Sequence, residues 1–220
     1  MLKYFFNGDI MPSVFLYSDP HFSHEGVCRF LRADGVTKLR PWDNAAEMDE
    51  FLIERFNDTV RPKDKVYFLG DVVINRKALN AVLPRLNGDK VLIRGNHDIF
   101  KLDDYTKYFR DIRAYHVMNG MILSHIPLHP DSLSRFGTNI HGHLHEKRVM
   151  VDVDRGGYNN DDIYNQGRWI PNMVKEIDPR YHCVCVEQTD WAPILFEDVI
   201  KKITAEGGTI GFKDRGSPAM

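Results

Sequence analysis

Cysteine is scarce in this 220-residue chain: there are three, Cys28, Cys183 and Cys185, an odd and thinly spread set. Such usage excludes the disulfide framework of a small secreted domain and the paired thiolates of a structural zinc ribbon. Excess charge is missing as well, since 29 basic against 31 acidic residues leave a formal net charge of -2. A surface built throughout to hold nucleic acid is thereby excluded, though a local basic groove is not. No apolar run approaches membrane-spanning length, and the first residues lack a basic segment followed by a long apolar run. We therefore expect a cytoplasmic protein that meets no membrane. Internal repeats and low-complexity tracts are also absent. What remains, with 43% hydrophobic and 27% charged residues, is ordinary globular material, and one domain over residues 1–220 is expected.

Val14 to Tyr17 reads as a buried strand that ends at Ser18-Asp19-Pro20-His21, where polar residues gather. Residues 44–60 place Met48, Leu52, Phe56 and Val60 at helical spacing, with Asn44 as the N-cap and Glu47 set for a capping box. "KVYFLGD" (65–71) is a second strand running into Gly-Asp, and a helical stretch follows until Pro84 and the Asn87-Gly88 turn. "KVLIRGNHD" (90–98) is a third, apolar from Val91 to Ile93 and then abruptly polar. This alternation is the grammar of a parallel sheet with crossover helices, whose ligands sit beyond the carboxyl ends of the strands. Asp19, Asp71 and Asn96 fall there. Later, a hairpin about Asn119-Gly120 and strands in "TNIHGHLH" and "YHCVCVEQ" predict a second sheet, and "EDVIKKITAEGG" predicts a closing helix. Residues 146–180, rich in Asp, Asn, Gly and Arg, read as a lid or loop insertion, with Asp152 and Asp154 alternating with Val151 and Val153 as in a half-solvated strand. Residues 211–220 read as a loosely held tail.

Seven residues with metal-binding chemistry stand at strand ends or in tight turns: Asp19, His21, Asp71, Asn96, His125, His143 and His145. Singly, each has an ordinary explanation as a cap, a turn former or a hydrogen-bonded core residue. Together, carboxylate, imidazole and amide oxygen without thiolate suit divalent ions such as Mn²⁺, Fe²⁺ or Zn²⁺. One ion could not use seven ligands, but two could if a carboxylate bridged ions about 3.5–4 Å apart. Asp71, on the central strand of the three, is the candidate bridge. In chain order, "DPH" (19–21), "GD" (70–71), "GNHD" (95–98), "SH" (124–125) and "GHLH" (142–145) resemble the calcineurin-like metallophosphoesterase family. The chain is similar to its compact bacterial and phage branch also in "HFSHEGVCRF", "RPWDNAAEMDEFLIERFN" and "VCVEQTDWAPILFEDV". Protein serine/threonine phosphatases, with G-D-x-x-D-R-G and G-N-H-E, match less well, because this chain has "GDVVINR" and Asp98.

The resemblance implies an α/β (α+β) fold, a four-layer sandwich of two mixed β-sheets flanked by helices, with a dinuclear metal site at the strand ends. It implies that Asp19, His21, Asp71 and His145 hold the first metal while Asp71, Asn96, His125 and His143 hold the second. Mn²⁺ is the ion expected to activate best in vitro, and Fe, Zn or Ni are compatible. The two ions would lower the pKa of a bridging water and neutralise phosphoryl oxygens during in-line attack. His97, left over as a non-ligand, is the natural proton donor to the leaving alkoxide, with Asp98 expected to accept its other ring N–H. Arg40 has a planar fork suited to phosphate and His24 follows the first motif closely, so both are candidate substrate-binding residues. The function read here is hydrolysis of phosphoester bonds, as a phosphodiesterase on a nucleotide-type substrate, with a small phosphoester or a nucleic-acid end also in reach. A phosphomonoesterase, including a protein phosphatase, and a non-catalytic binding module of the same fold are the alternatives. From the 146–180 segment a wall of the cleft is expected, with Lys147, Arg148 and Arg155 for phosphate and Tyr158, Tyr164 and Trp169 as faces for a base.

Overall fold

The computed structural model describes residues 11–159 and 168–212, so Tyr164 and most of the expected tail lie outside the described residues. The chain runs through β1 (Val14–Tyr17), α1 (Ala45–Thr59), β2 (Lys65–Phe68), α2 (Arg76–Val82), β3 (Asp89–Ile93), α3 (Leu102–Tyr105) and β4 (Asp111–Arg113). Next come β5 (His116–Met118), β6 (Met121–Ser124) and β7 (Asn139–His141). The strands β8 (Met150–Asp154), β9 (Gly157–Asn159), β10 (Arg168–Ile170) and β11 (Met173–Ile177) follow, before β12 (Tyr181–Cys183), β13 (Ile194–Leu195) and α4 (Phe196–Ala205). One mixed sheet has the order β13-β1-β2-β3-β4, with β1 to β4 parallel and β13 antiparallel at the edge. A second has the order β12-β7-β6-β5, in which only the β5–β6 hairpin is antiparallel. The architecture is mixed α/β with two multi-stranded sheets and few helices.

Alternation along the strands divides the core. Phe15, Tyr17, Val66, Phe68 and Leu92 turn to one side, where Met48, Leu52 and Phe56 of α1 and Leu79 and Val82 of α2 cover them. Asn44 starts α1 by accepting the Glu47 N–H at 2.9 Å, which satisfies a donor the helix itself cannot. The intervening residues Leu16, Tyr67, Leu69, Val91 and Ile93 face Met121, Leu123 and Ile140 of the second sheet, and Phe196, Val199 and Ile203 of α4 join them. The far side of the second sheet departs from the expected helical layer. There Ile122 and Tyr181 are covered by Leu133, in a short 3₁₀ turn over Pro130–Leu133, with Leu128, Phe136 and Val149 around it. Pro130 stands at the first position of that turn, where a missing N–H costs nothing.

The expected lid or loop insertion at 146–180 is instead, in its described part, a two-stranded antiparallel arm in two segments. Val153 pairs with Val174 and Val151 with Glu176 in the first, and Tyr158 with Trp169 in the second. Asp154 locks the joint between them, accepting the N–H of Gly156 at 2.9 Å, that of Asn172 at 2.8 Å and the indole N–H of Trp169 at 2.6 Å. No helix among the described residues is long and apolar enough to cross a membrane.

Candidate metal centre

The sequence-predicted ligands converge because parallel strands end together. Asp19 follows β1, Asp71 follows β2 and Asn96 follows β3, while His125, His143 and His145 follow β6 and β7 of the other sheet. The backbone turns sharply at this edge. Asp19 (φ 57°), His21 (φ 50°), Asp71 (φ 53°), His143 (φ 68°) and His145 (φ 53°) all lie in the left-handed region. Each such residue costs roughly 1–3 kcal/mol and persists only where its surroundings over-determine it. Here the loops are tied across strands: the Asp19 N–H donates to the Gly70 carbonyl at 3.1 Å and the His21 N–H to the Asp71 carbonyl at 3.1 Å. The motif glycines make room. A Cβ at Gly95 would collide with Asp71, one at Gly142 with Ser18 and Asp19, and one at Gly70 (φ 92°) with the His125 ring and the Gly95 backbone.

Two groups of donor atoms result, Asp19 with His21 and His145, and Asp71 with His125 and His143, each with all its atoms within 4.8 Å of one another. Asp71 stands between them. Its Oδ2 is 3.6 Å from His21 Nε2 and 3.4 Å from His125 Nε2, while its Oδ1 accepts the His97 backbone N–H at 2.8 Å. Asn96 Oδ1 lies 2.9 Å from His125 Nε2. Asp19 uses Oδ2 to accept from Ser18 Oγ at 2.5 Å and from the His143 N–H at 2.8 Å. Its other oxygen, Oδ1, is buried without any hydrogen-bond partner and sits 3.7 Å from His21 Nε2. An orphaned carboxylate oxygen at zero exposure is costly unless a cation supplies its partner. The donor set therefore fits divalent metal.

Electrostatics point the same way. Burial alone would raise the Asp19 carboxyl, yet the neighbouring imidazoles of His21, His125 and His145 hold it far below the usual carboxylate range. Burial works against a charged His125, but Asp71 and Asp19 push its pKa up to about 9. His145 is buried too, and the Glu187 carboxylate raises its pKa in spite of that. The ring nitrogens thus face concentrated negative charge.

Two sequence-predicted roles are corrected by the geometry. Arg40 does not reach a substrate, because it is fully buried behind the first loop, where its guanidinium donates to the carbonyls of Asp19 (2.6 Å) and Pro20 (2.7 Å) and to Glu187 (2.8 Å). Asp98 does not orient the His97 ring. It accepts the backbone N–H groups of Asp71 (2.9 Å), Val72 (3.2 Å) and Gly95 (2.8 Å), so it fixes the two loops to each other. Arg94 clamps the same loop by donating to the Asp98 carbonyl. His24 borders the site, its ring 5.6 Å from that of His21 and 6.3 Å from that of His97, and its Nδ1 accepts the Gly26 N–H at 3.0 Å. His97 itself has a side chain 40% exposed with Nε2 3.9 Å from Asp71 Oδ2. Glu187 escaped the sequence reading altogether, although its Oε1 takes both Arg40 and His145 Nδ1 (2.9 Å). Nothing in "VCVEQTD" distinguishes it from any other glutamate.

No family model matches the chain. Over 144 residues it is 38% identical to Uncharacterized protein MJ1445 of Methanocaldococcus jannaschii, a stretch covering 63% of this chain and 73% of that one. The chain belongs to that protein's family. Among solved structures, the Protein of Unknown Function AQ665 from Aquifex aeolicus superposes with a TM-score of 0.57 at 22% identity, over 87% of this chain and 99% of its own. At that identity the likeness concerns the fold, and the metal-site geometry described above rests on this family member's own side chains.

Proposed function

We propose that the chain is a dinuclear metal-dependent phosphoesterase, its centre set at the strand ends between the two sheets. The observation that carries the reading is that a single oxygen of Asp71 faces an imidazole of each donor group, His21 on one side and His125 on the other. Asp19, His21, Asp71 and His145 would hold one ion, and Asp71, Asn96, His125 and His143 the other. Bound there, divalent ions supply Lewis acidity toward phosphoryl oxygens and lower the pKa of water. The chain's own residues do the rest. Glu187 accepts from His145 Nδ1, which leaves Nε2 as the nitrogen that would face an ion. The His125 Nδ1 is likewise taken by the Leu69 carbonyl at 2.7 Å. Water attacks phosphorus as the bond to the leaving oxygen breaks, and that oxygen needs a proton. His97, half-exposed with Nε2 3.9 Å from Asp71 Oδ2, is the residue placed to supply it. All three cysteines are free and buried, which supports a reducing, cytoplasmic setting.

The test is reconstitution of the chelated protein with Mn²⁺, followed by elemental analysis and assay on bis(p-nitrophenyl) phosphate. Two ions per chain and hydrolysis that vanishes with chelator are expected. Full hydrolysis without metal, or metal binding with no phosphoester turned over, overturns the proposal.

A further inference from the structure

Two clefts meet at the centre. The larger, about 900 Å³, opens beside Asn96 and His125, and a smaller one of about 580 Å³ opens beside His143 and His145. Their walls differ in kind. Ile112, Tyr115, Ile126, Leu128 and Phe136 make the larger cleft mainly apolar, and no carboxylate lines it among the described residues. Tyr115 and Ile126 are 58% and 51% exposed, apolar area left in water directly next to a polar centre. Such area is typically retained to meet a ligand. Besides Asn96 and His125 at the centre, its polar side chains are Arg94, Ser124, Ser132 and Arg113, the last held by Asp111 at 2.6 Å. The smaller cleft combines Phe30 with Arg32 and Lys147.

A monoester has one substituent on phosphorus and a diester has two. Resting on the phosphoesterase reading above, we infer that the substrate is a phosphodiester whose nucleoside occupies the larger cleft, its base on the Tyr115 ring. The second substituent extends along the smaller cleft. An exposed aromatic side chain beside apolar walls suits a flat base, while the Ser132 hydroxyl suits an exocyclic polar group. This moves substrate recognition away from the 150–177 arm. There Arg155 is engaged by Glu176 at 2.7 Å and Trp169 by Asp154, so neither side chain is directed to the centre.

The experiment uses Mn²⁺-loaded full-length chain and compares kcat/KM for thymidine 5′-p-nitrophenyl phosphate with that for methyl p-nitrophenyl phosphate. In parallel, titration calorimetry measures binding of thymidine 5′-phosphate. The nucleoside ester is expected to be preferred, and Tyr115→Ala to lower that preference by roughly 5–100-fold, the range set by loss of one stacking contact. Thymidine 5′-phosphate should bind more weakly to the variant in the same proportion. Tyr158→Ala, on the arm, should leave the preference alone. If the methyl ester is cleaved but nucleoside gives no advantage, the cleft assignment falls while the phosphoesterase reading stands. If no ester is cleaved yet the nucleotide binds and Tyr115→Ala weakens it, the phosphoesterase reading falls and the nucleotide site stands. A stronger preference for a glycerophosphodiester bearing an acyl chain, or a change with Tyr158→Ala and none with Tyr115→Ala, overturns the assignment.

Discussion

Asp19 and Asp154 both stand at the end of a strand, and their surroundings differ in every respect that matters for chemistry. Asp154, on the exposed arm, has both oxygens supplied by its own hairpin: Gly156 and Asn172 on Oδ1, Trp169 on Oδ2. Asp19, at zero exposure between two sheets, keeps Oδ1 without a partner in the midst of three imidazoles. The arginines repeat the contrast. Arg155 pairs with Glu176 in solvent, while Arg40 is wholly buried and ties Glu187 to the first loop. Composition cannot separate such pairs, but an account of which polar groups are satisfied can. In the arm the polar groups serve one another; at the strand ends they are held ready for something else.

The contrast is sharpest at Asp71. Asp71→Asn removes charge shared by both donor groups, and Mn²⁺ affinity is expected to fall by more than roughly 100-fold, beyond the usual effect of disturbing a ligand's support. Elemental analysis after dialysis should find both ions depleted, whereas Asp154→Asn should retain both. Loss of a single ion in Asp71→Asn contradicts the shared oxygen. Next in size, His97→Ala should keep both ions and lower turnover roughly 10²–10⁴-fold on an alkyl ester. The deficit should shrink on a nitrophenyl ester, whose leaving group needs no proton, and equal deficits would argue against proton donation. Glu187→Gln should weaken one ion only, roughly 10–100-fold by calorimetric titration. It also leaves Arg40 buried without its counter-charge, which costs about 3–5 kcal/mol of stability in a denaturant titration. The smallest effect belongs to the arm. Arg155→Ala breaks a solvent-screened ion pair, so stability should barely change and metal content and kcat should not move. A loss of metal in that variant would erase the distinction between the two regions.

How far the chain could be read in advance follows the same divide. The strand-end cluster was legible only as a set: Gly95-Asn96-His97-Asp98 alone reads as an ordinary turn, and it is the recurrence of such residues at the ends of several strands, from Asp19 to His145, that marks one edge. The α1 start was legible because Asn44 and Glu47 act locally. Arg40, Asp98 and Glu187 were not, since their partners lie at separations such as the 147 residues between Arg40 and Glu187, and burial is a property of the assembled sheets. The arm was half legible. Val151 and Val153 alternate with aspartates as a strand should, but the partner strand Met173–Ile177 carries Lys175 and Glu176, residues of low strand preference, after a long polar interval. The helical layer expected outside the second sheet came from resemblance and from no pattern in the residues themselves.

The glycines of the three motifs carry a last consequence. Gly95 clears space for Asp71, Gly142 for Asp19 and Gly70 for His125, so each sequence block is cut to fit a different block rather than itself. Exchange between relatives is then constrained in a particular way: a segment ending in one motif cannot be transplanted singly, because its glycine and its ligand answer to separate neighbours. The unit that could be exchanged intact is the whole rim formed where the two sheets end.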